Sequence, residues 1–277
     1  MYEEIIYEVQ DPVAIITMNR PEALNALTGR MMAEIRHALA AAENDPAVVG
    51  IVLTGAGRGF CAGADISGLD ATASGESGPQ EDLSALKASP GDAAMGENFQ
   101  VTYTYILSVT KPIIAAINGP CAGLGFCYAL LCDMRFAERQ AKFTTAFSQR
   151  GLIAEHASSW LLPRLIGPGR ALDLLWSARK FQGEEAYDLG VVERVVETGE
   201  ALNAAIDYVK ELAAVASPIS FKVIKAQVYR HLNMELGEAM KESNGWMAES
   251  LEREDFKEGV RSFIEKRPPA FKRLGGD

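Results

Sequence analysis

The stretch KPIIAAINGPCAGLGFCYALLCD (111–133) decides the fold class. Pro112 leads into IIAAI (113–117), an apolar run that reads as a buried strand, and Asn118-Gly119-Pro120 turns the chain. CAGLGFCYALLCD (121–133) is a second glycine-containing turn that runs into a buried helix, with a further strand near 134–137. The same unit occurs upstream, where VVGIVLT (48–54) is a buried strand followed by the glycine-dense GAGRGFCAGAD (55–65). Repetition of strand, glycine turn and helix predicts an α/β architecture with backbone amides exposed at turns and helix starts.

Outward from these units, residues 2–9 and 13–18 read as a β-hairpin turning at Asp11-Pro12. Thr28 is the N-cap candidate for a helix over 29–43, in which Met31, Met32, Ile35 and Leu39 recur at helical spacing. Segment 66–95, with ASGESGPQ and ASPGD, reads as a mobile loop, and 96–109 as a helix carrying Phe99, Tyr103 and Tyr105. Beyond about residue 200 the strands stop. Segments 200–214, 218–232, 234–251 and 255–265 are amphipathic helices, so the chain divides into a core over 1–197 and a helical region over 198–277.

With 277 residues and 48% apolar content the chain can bury a large core without disulfides or metal. A net charge of −10 argues against nonspecific nucleic-acid binding. No apolar run approaches the ~20 residues of a membrane span. MYEEIIYEVQ lacks the features of a signal or transit peptide, so a cytoplasmic location is expected. Cys61, Cys121, Cys127 and Cys132 form no CxxC and have no histidine close in sequence, which predicts free thiols and no metal site.

Gly55-Ala56-Gly57-Arg58-Gly59 resembles half of a dinucleotide fingerprint, yet the chain then enters a polar loop rather than a helix. A nicotinamide-dependent oxidoreductase is therefore the disfavoured reading. Two glycine turns acting together can instead aim two amides, at Ala64 and near Leu124, at one developing oxyanion.

At this point the sequence resembles the crotonase superfamily, the enoyl-CoA hydratase/isomerase family. The resemblance rests on NRPEALNAL (19–27), FCAGADI (60–66), KPIIAAINGPCAGLGF (111–126), LCDMRFA (131–137), LPRLIG (162–167), FQGEEAYDLGVVERVV (181–196) and FIEKRPPAFK (263–272). It implies a spiral of repeated ββα units, with a C-terminal α-helical oligomerisation region that builds trimers or hexamers. It implies an acyl-CoA thioester substrate of the kind handled in fatty acid metabolism, and no cofactor, coenzyme A being part of the substrate. Ala64 and Leu124 match the oxyanion-hole amides, although the family usually has glycine at the second position. Ala23, Ala64, Asp65, Ile66, Ser67, Leu124 and Phe147 match positions around the CoA and acyl pocket. Phe263 and Lys266 match CoA contacts that often come from a neighbouring subunit.

The chain also departs from the family. The two glutamates of family hydratases fall at Cys127 and Phe147. Phe147 cannot transfer a proton, and Cys127 reads as a structural thiol. Glu155, in RGLIAEHASSW, resembles the position where dienoyl-CoA isomerases carry a catalytic aspartate. An apolar setting there would raise its pKa towards general-base values, whereas a first-turn helix glutamate would simply favour the helix dipole. His156, as a helical neighbour, would not share its face and reads as a structural or rim residue. Glu76, Glu81 and Asp82 on the loop are weaker carboxylate candidates, Asp65 is expected to orient backbone, and Asp133 to end the buried helix. Two readings stay open: an acyl-CoA enzyme with Glu155 as acid/base, catalysing isomerisation or atypical hydration or hydrolysis, and a catalytically silent acyl-CoA-binding protein.

Overall fold

A computed structural model describes residues 2–65 and 81–275. Among these, the strands in chain order are β1 (Ile5–Gln10), β2 (Val13–Met18), β3 (Gly50–Gly55), β4 (Ile113–Ile117), β5 (Cys121–Ala122), β6 (Met134–Glu138), β7 (Lys142–Thr144), β8 (Phe181–Gln182) and β9 (Arg194–Val196). They form a larger sheet in the order β1-β2-β3-β4-β6-β9 and a smaller one in the order β5-β7-β8. The β1–β2 hairpin is antiparallel, and each later pairing in the larger sheet is parallel.

The chain alternates between the two sheets. After β3 comes Cys61, which bridges to Cys121 of β5; β4 is followed by β5, and β6 by β7. Cys121 then pairs with Phe143, and Phe143 with Phe181, whose ring stacks on it at 5.4 Å. Each turn thus contributes one strand to each layer. This is the spiral of ββα units expected of the crotonase fold.

β3 and β4 are buried along their whole length, which is why they read as unbroken apolar runs rather than alternating ones. One face of the larger sheet, with Ile16, Ile51 and Ile113, joins a core shared with the Gly29–Asn44 and Leu124–Leu131 helices. The opposite face, with Val13, Val52, Ile114 and Phe136, packs on Ala201, Ala205 and Val209. Those belong to the Ala201–Val215 helix, the first beyond residue 198, which therefore takes part in covering the sheet.

The Gly29–Asn44 helix starts as expected: Thr28 accepts a hydrogen bond from Met31 N at 3.0 Å. Segment 96–109 differs from the expected helix. It holds a 3₁₀ turn at Glu97–Phe99 and a short helix at Tyr105–Ser108. Ser108 Oγ contacts the Phe99 and Tyr105 carbonyls at 3.1 and 2.8 Å, and Thr104 Oγ1 donates to Asn98 O at 2.6 Å. These side-chain bonds compete with helical pairing.

The remaining helices beyond residue 198 are Pro218–His231, Leu236–Glu252 and Glu254–Glu265. Asp133 ties the first of them to the core: its carboxylate accepts from Lys225 Nζ at 2.7 Å, Tyr229 OH at 3.0 Å and Ile113 N at 2.8 Å. Among the described residues no helix is long and apolar enough to cross a membrane.

Candidate active site

The loop after β2 and the turn after β3 build one wall of the site. Asn25 Nδ2 donates to Ala56 O at 3.0 Å and Gly59 O at 2.8 Å, which holds the glycine turn. Arg20 Nη1 donates to Ala26 O and to Asp65 Oδ2, both at 2.8 Å. The Asp65 carboxylate thus pairs with the guanidinium that also holds the Ala26 carbonyl. Leu27 then forms a lone parallel bridge with Ala64: Leu27 N donates to Gly63 O at 2.8 Å and Asp65 N to Leu27 O at 3.0 Å. In such a bridge the flanking residues supply the bonds, so the Ala64 amide points to the other side.

The second wall is the start of the Leu124–Leu131 helix. Gly123 caps it at φ 50° and ψ −121°, a conformation a side chain would strain, and its N–H donates to Thr144 O at 3.1 Å. Leu124 is the first helical residue, so its N–H has no partner four residues back within the helix. The two walls touch. A Cβ on Gly63 would stand 3.6 Å from Leu124 N, and one on Gly125 would stand 2.4 Å from Cys61 O. Among the described residues neither the Ala64 nor the Leu124 amide donates to a protein acceptor. Leu124 is itself buried and lines the space.

That space is a cleft of about 1430 Å³. Ala23, Ala64, Asp65 and Leu124 line it together with Phe147 and Glu155, so six of the residues singled out in the sequence converge here. Ile66, Ser67 and Glu76 lie outside the described residues. Phe263 and Lys266 are not on this cleft within one chain. Phe263 is 85% exposed on the Glu254–Glu265 helix, and Lys266 closes that helix at φ 52°. Glu81 pairs with Arg30 through the guanidinium at the surface. A separate groove of about 720 Å³, along the ends of β2–β4, shares only Arg58 with the cleft.

Glu155 is not in the first turn of a helix. The helix begins at Ser158, and residues 156 and 157 are both left-handed, with φ 52° and 66°. The Glu155 carbonyl is anchored by Ser158 N at 2.9 Å, Ser158 Oγ at 2.6 Å and Cys127 Sγ at 3.6 Å. The doubled left-handed turn folds His156 back on its neighbour, and His156 Nε2 lies 3.2 Å from Glu155 Oε2. The expectation that these two residues diverge assumed helical geometry and is corrected here. The His156 ring packs on Tyr103 at 4.2 Å, and both line the cleft.

Burial holds the His156 imidazole below its ordinary 6.5, the Glu155 carboxylate pulling the other way. Burial, then Glu155, raises the Tyr103 phenol. Cys127 is fully buried, and its thiol is pushed up to about 12 by burial, with Ser158 lowering it and Glu155 raising it. A thiol so placed stays protonated at neutral pH and is no acid/base. The sequence did not single out Arg150, Met32 or the role of His156, all of which line the cleft. Only the adjacency of His156 to Glu155 hinted at it.

The model of the Enoyl-CoA hydratase/isomerase family matches residues 8–274. The chain is 33% identical over 274 residues to a crotonyl-CoA hydratase of Syntrophomonas wolfei, covering 98% of each. It is 32% identical over 273 residues to a 1,2-epoxyphenylacetyl-CoA isomerase of Escherichia coli, covering 98% of this chain and 99% of the relative. The crystal structure of an enoyl-CoA hydratase subunit I from Geobacillus kaustophilus superposes with a TM-score of 0.83 at 32% identity, covering 98% of each chain. The chain belongs to the enoyl-CoA hydratase/isomerase family and is an enzyme of that type.

Proposed function

We propose that the protein transfers protons on an acyl-CoA thioester through an enolate, with Ala64 and Leu124 as the oxyanion hole and Glu155 as the acid/base. The observation that carries this reading is the juxtaposition of two unengaged amides, at Ala64 and Leu124, on the cleft that Glu155 also lines. The thioester oxygen would accept both N–H groups. Glu155 would then take a proton from the α or γ carbon; the C–H electron pair moves into the enolate, whose charge the amides and the positive start of the Leu124–Leu131 helix hold. Return of the proton to the other carbon completes a double-bond shift, and no cofactor beyond the CoA of the substrate is needed.

Hydration by two carboxylates is the weaker reading, because Cys127 and Phe147 occupy the positions that the resemblance assigns to them and both are buried. Isomerisation, or hydration or hydrolysis directed by Glu155 alone, suits the cleft better. The relatives named above include one hydratase and one isomerase.

The C-terminal helices expose Leu236, Met240, Met247, Leu251, Phe263 and Ile264, large apolar side chains of the kind that interaction surfaces use. We infer that further copies of the chain cover it, in the trimer or pair of trimers that the resemblance implies, and that Phe263 and Lys266 reach a neighbour's CoA site.

The test is Glu155→Gln, assayed over a panel of acyl-CoA esters by mass change and by deuterium uptake from heavy water. The reading expects turnover and exchange to fall by about 10²-fold or more, with CoA-ester binding kept. Unchanged turnover would remove Glu155 from the mechanism. Binding without exchange in the unaltered protein would favour the silent acyl-CoA binder.

A further inference from the structure

We propose that His156 is a positioning residue for the Glu155 carboxylate: its Nε2–H occupies one carboxylate oxygen and leaves the other to face the acyl chain. This rests on Glu155 being the acid/base.

The backbone supplies the geometry. His156 and Ala157 are consecutive left-handed residues without being glycine, a conformation that costs energy and is held by its surroundings. The strain turns the imidazole onto the carboxylate at 3.2 Å. Tyr103 packs against the ring at 4.2 Å, and is itself held edge-on to Tyr128 at 6.0 Å. Below, the Glu155 carbonyl is fixed by Ser158 and Cys127. Glu155 is therefore held at its carbonyl, and its carboxylate lies against the imidazole, although its side chain is 32% exposed. An unrestrained glutamate so exposed would spread over several rotamers, and ordering it beforehand spares that entropy at the moment of proton transfer.

The charged and titratable groups around the imidazole are Glu155 on its own loop, the Tyr103 phenol, the protonated Cys127 thiol behind Glu155, and Arg150 elsewhere on the cleft wall. Burial favours the neutral imidazole, which in its Nε2–H tautomer can donate to the carboxylate without neutralising its charge. Below its midpoint, which burial lowers, it becomes a cation and pairs with the neighbouring carboxylate as an ion. Turnover then falls on the acid side.

Two variants and one spectroscopic measurement test this. His156→Leu removes the donor at similar size, and His156→Gln keeps an N–H. The expected result is a kcat loss of about tenfold or more in the leucine variant, with KM little changed, substantial recovery in the glutamine variant, and a displacement of the acid limb of kcat to lower pH in both. NMR titration of the imidazole in Glu155→Gln, which needs no activity, should show the midpoint falling further, because the carboxylate that raises it is gone. A leucine variant with wild-type kcat and an unchanged acid limb overturns the proposal, as does an imidazole midpoint indifferent to Glu155→Gln. If Glu155→Gln is itself fully active, the acid/base reading is what fails, and that outcome is distinct from a dead Glu155→Gln beside an unaffected His156→Leu. Should His156→Leu fail to fold, the glutamine variant's pH profile and the NMR midpoint still decide.

Discussion

Leu27 and Ala64 are joined by a single parallel bridge, and its two hydrogen bonds run through Gly63 O and Asp65 N rather than through Ala64 itself. The pairing that fixes the position of Ala64 is also what leaves its amide unused. The same economy holds at Leu124, where the first residue of a helix has an N–H that the helix cannot satisfy. Both donors are consequences of backbone connectivity, so their strength is set by local geometry and not by side-chain identity.

The Leu124 amide can be deleted without deleting the helix. Proline is favoured at the first helical position, so Leu124→Pro should keep the Leu124–Leu131 helix and lose the donor. Turnover should fall by about 10²–10³-fold, while Leu124→Ala, which keeps the amide, should stay within about tenfold. Circular dichroism and steady-state kinetics on the pair check this. Equal losses in both would show that the leucine side chain matters and the amide does not.

Gly125 sets how closely the two walls approach. A methyl there would sit 2.4 Å from Cys61 O and 2.7 Å from Cys61 Sγ, against backbone that cannot swing aside. Gly125→Ala should cost about 1–3 kcal/mol of stability by overpacking. Gly245→Ala, in the exposed Leu236–Glu252 helix with nothing within 4 Å, should be neutral or gain up to about 1 kcal/mol. Urea unfolding of the two variants compares them directly.

The buried thiols make stability fall in alkali. Burial, the main cause for each, pushes the Cys61, Cys127 and Cys132 thiols up to about 12, against an ordinary value of 9.0, and holds Cys121 well above that ordinary value too. Above pH 9 the unfolded chain loses protons that the folded chain keeps, so the unfolded state is favoured increasingly as pH rises towards 12. Each thiol contributes a slope of up to about 1.4 kcal/mol per pH unit in that window. Unfolding midpoints at pH 8, 9 and 10 should drop progressively, and Cys61→Ala should flatten the decline. A level profile would contradict the burial of these groups.

Much of this molecule is readable from residue order. β3 and β4 announce themselves as unbroken apolar runs because both their faces are covered, and the four C-terminal helices by their spacing. The strands of the smaller sheet do not, because β5 and β8 are two residues long and β7 three, too short for any period to register. Segment 96–109 has a helical composition, but Ser108 and Thr104 spend their hydroxyls on carbonyls that a helix would need. At the site, Glu155 could be found by position, while its contact with His156 could not. That contact depends on two left-handed residues, His156 and Ala157, whose side chains carry no signal for such a turn.

The most direct test of the account is the structure of the protein with an unreactive acyl-CoA thioester bound. The thioester oxygen should lie within about 2.7–3.1 Å of both Ala64 N and Leu124 N, with the Glu155 carboxylate over the α or γ carbon. A carbonyl turned away from these two nitrogens, and bonded elsewhere in the cleft, would contradict it.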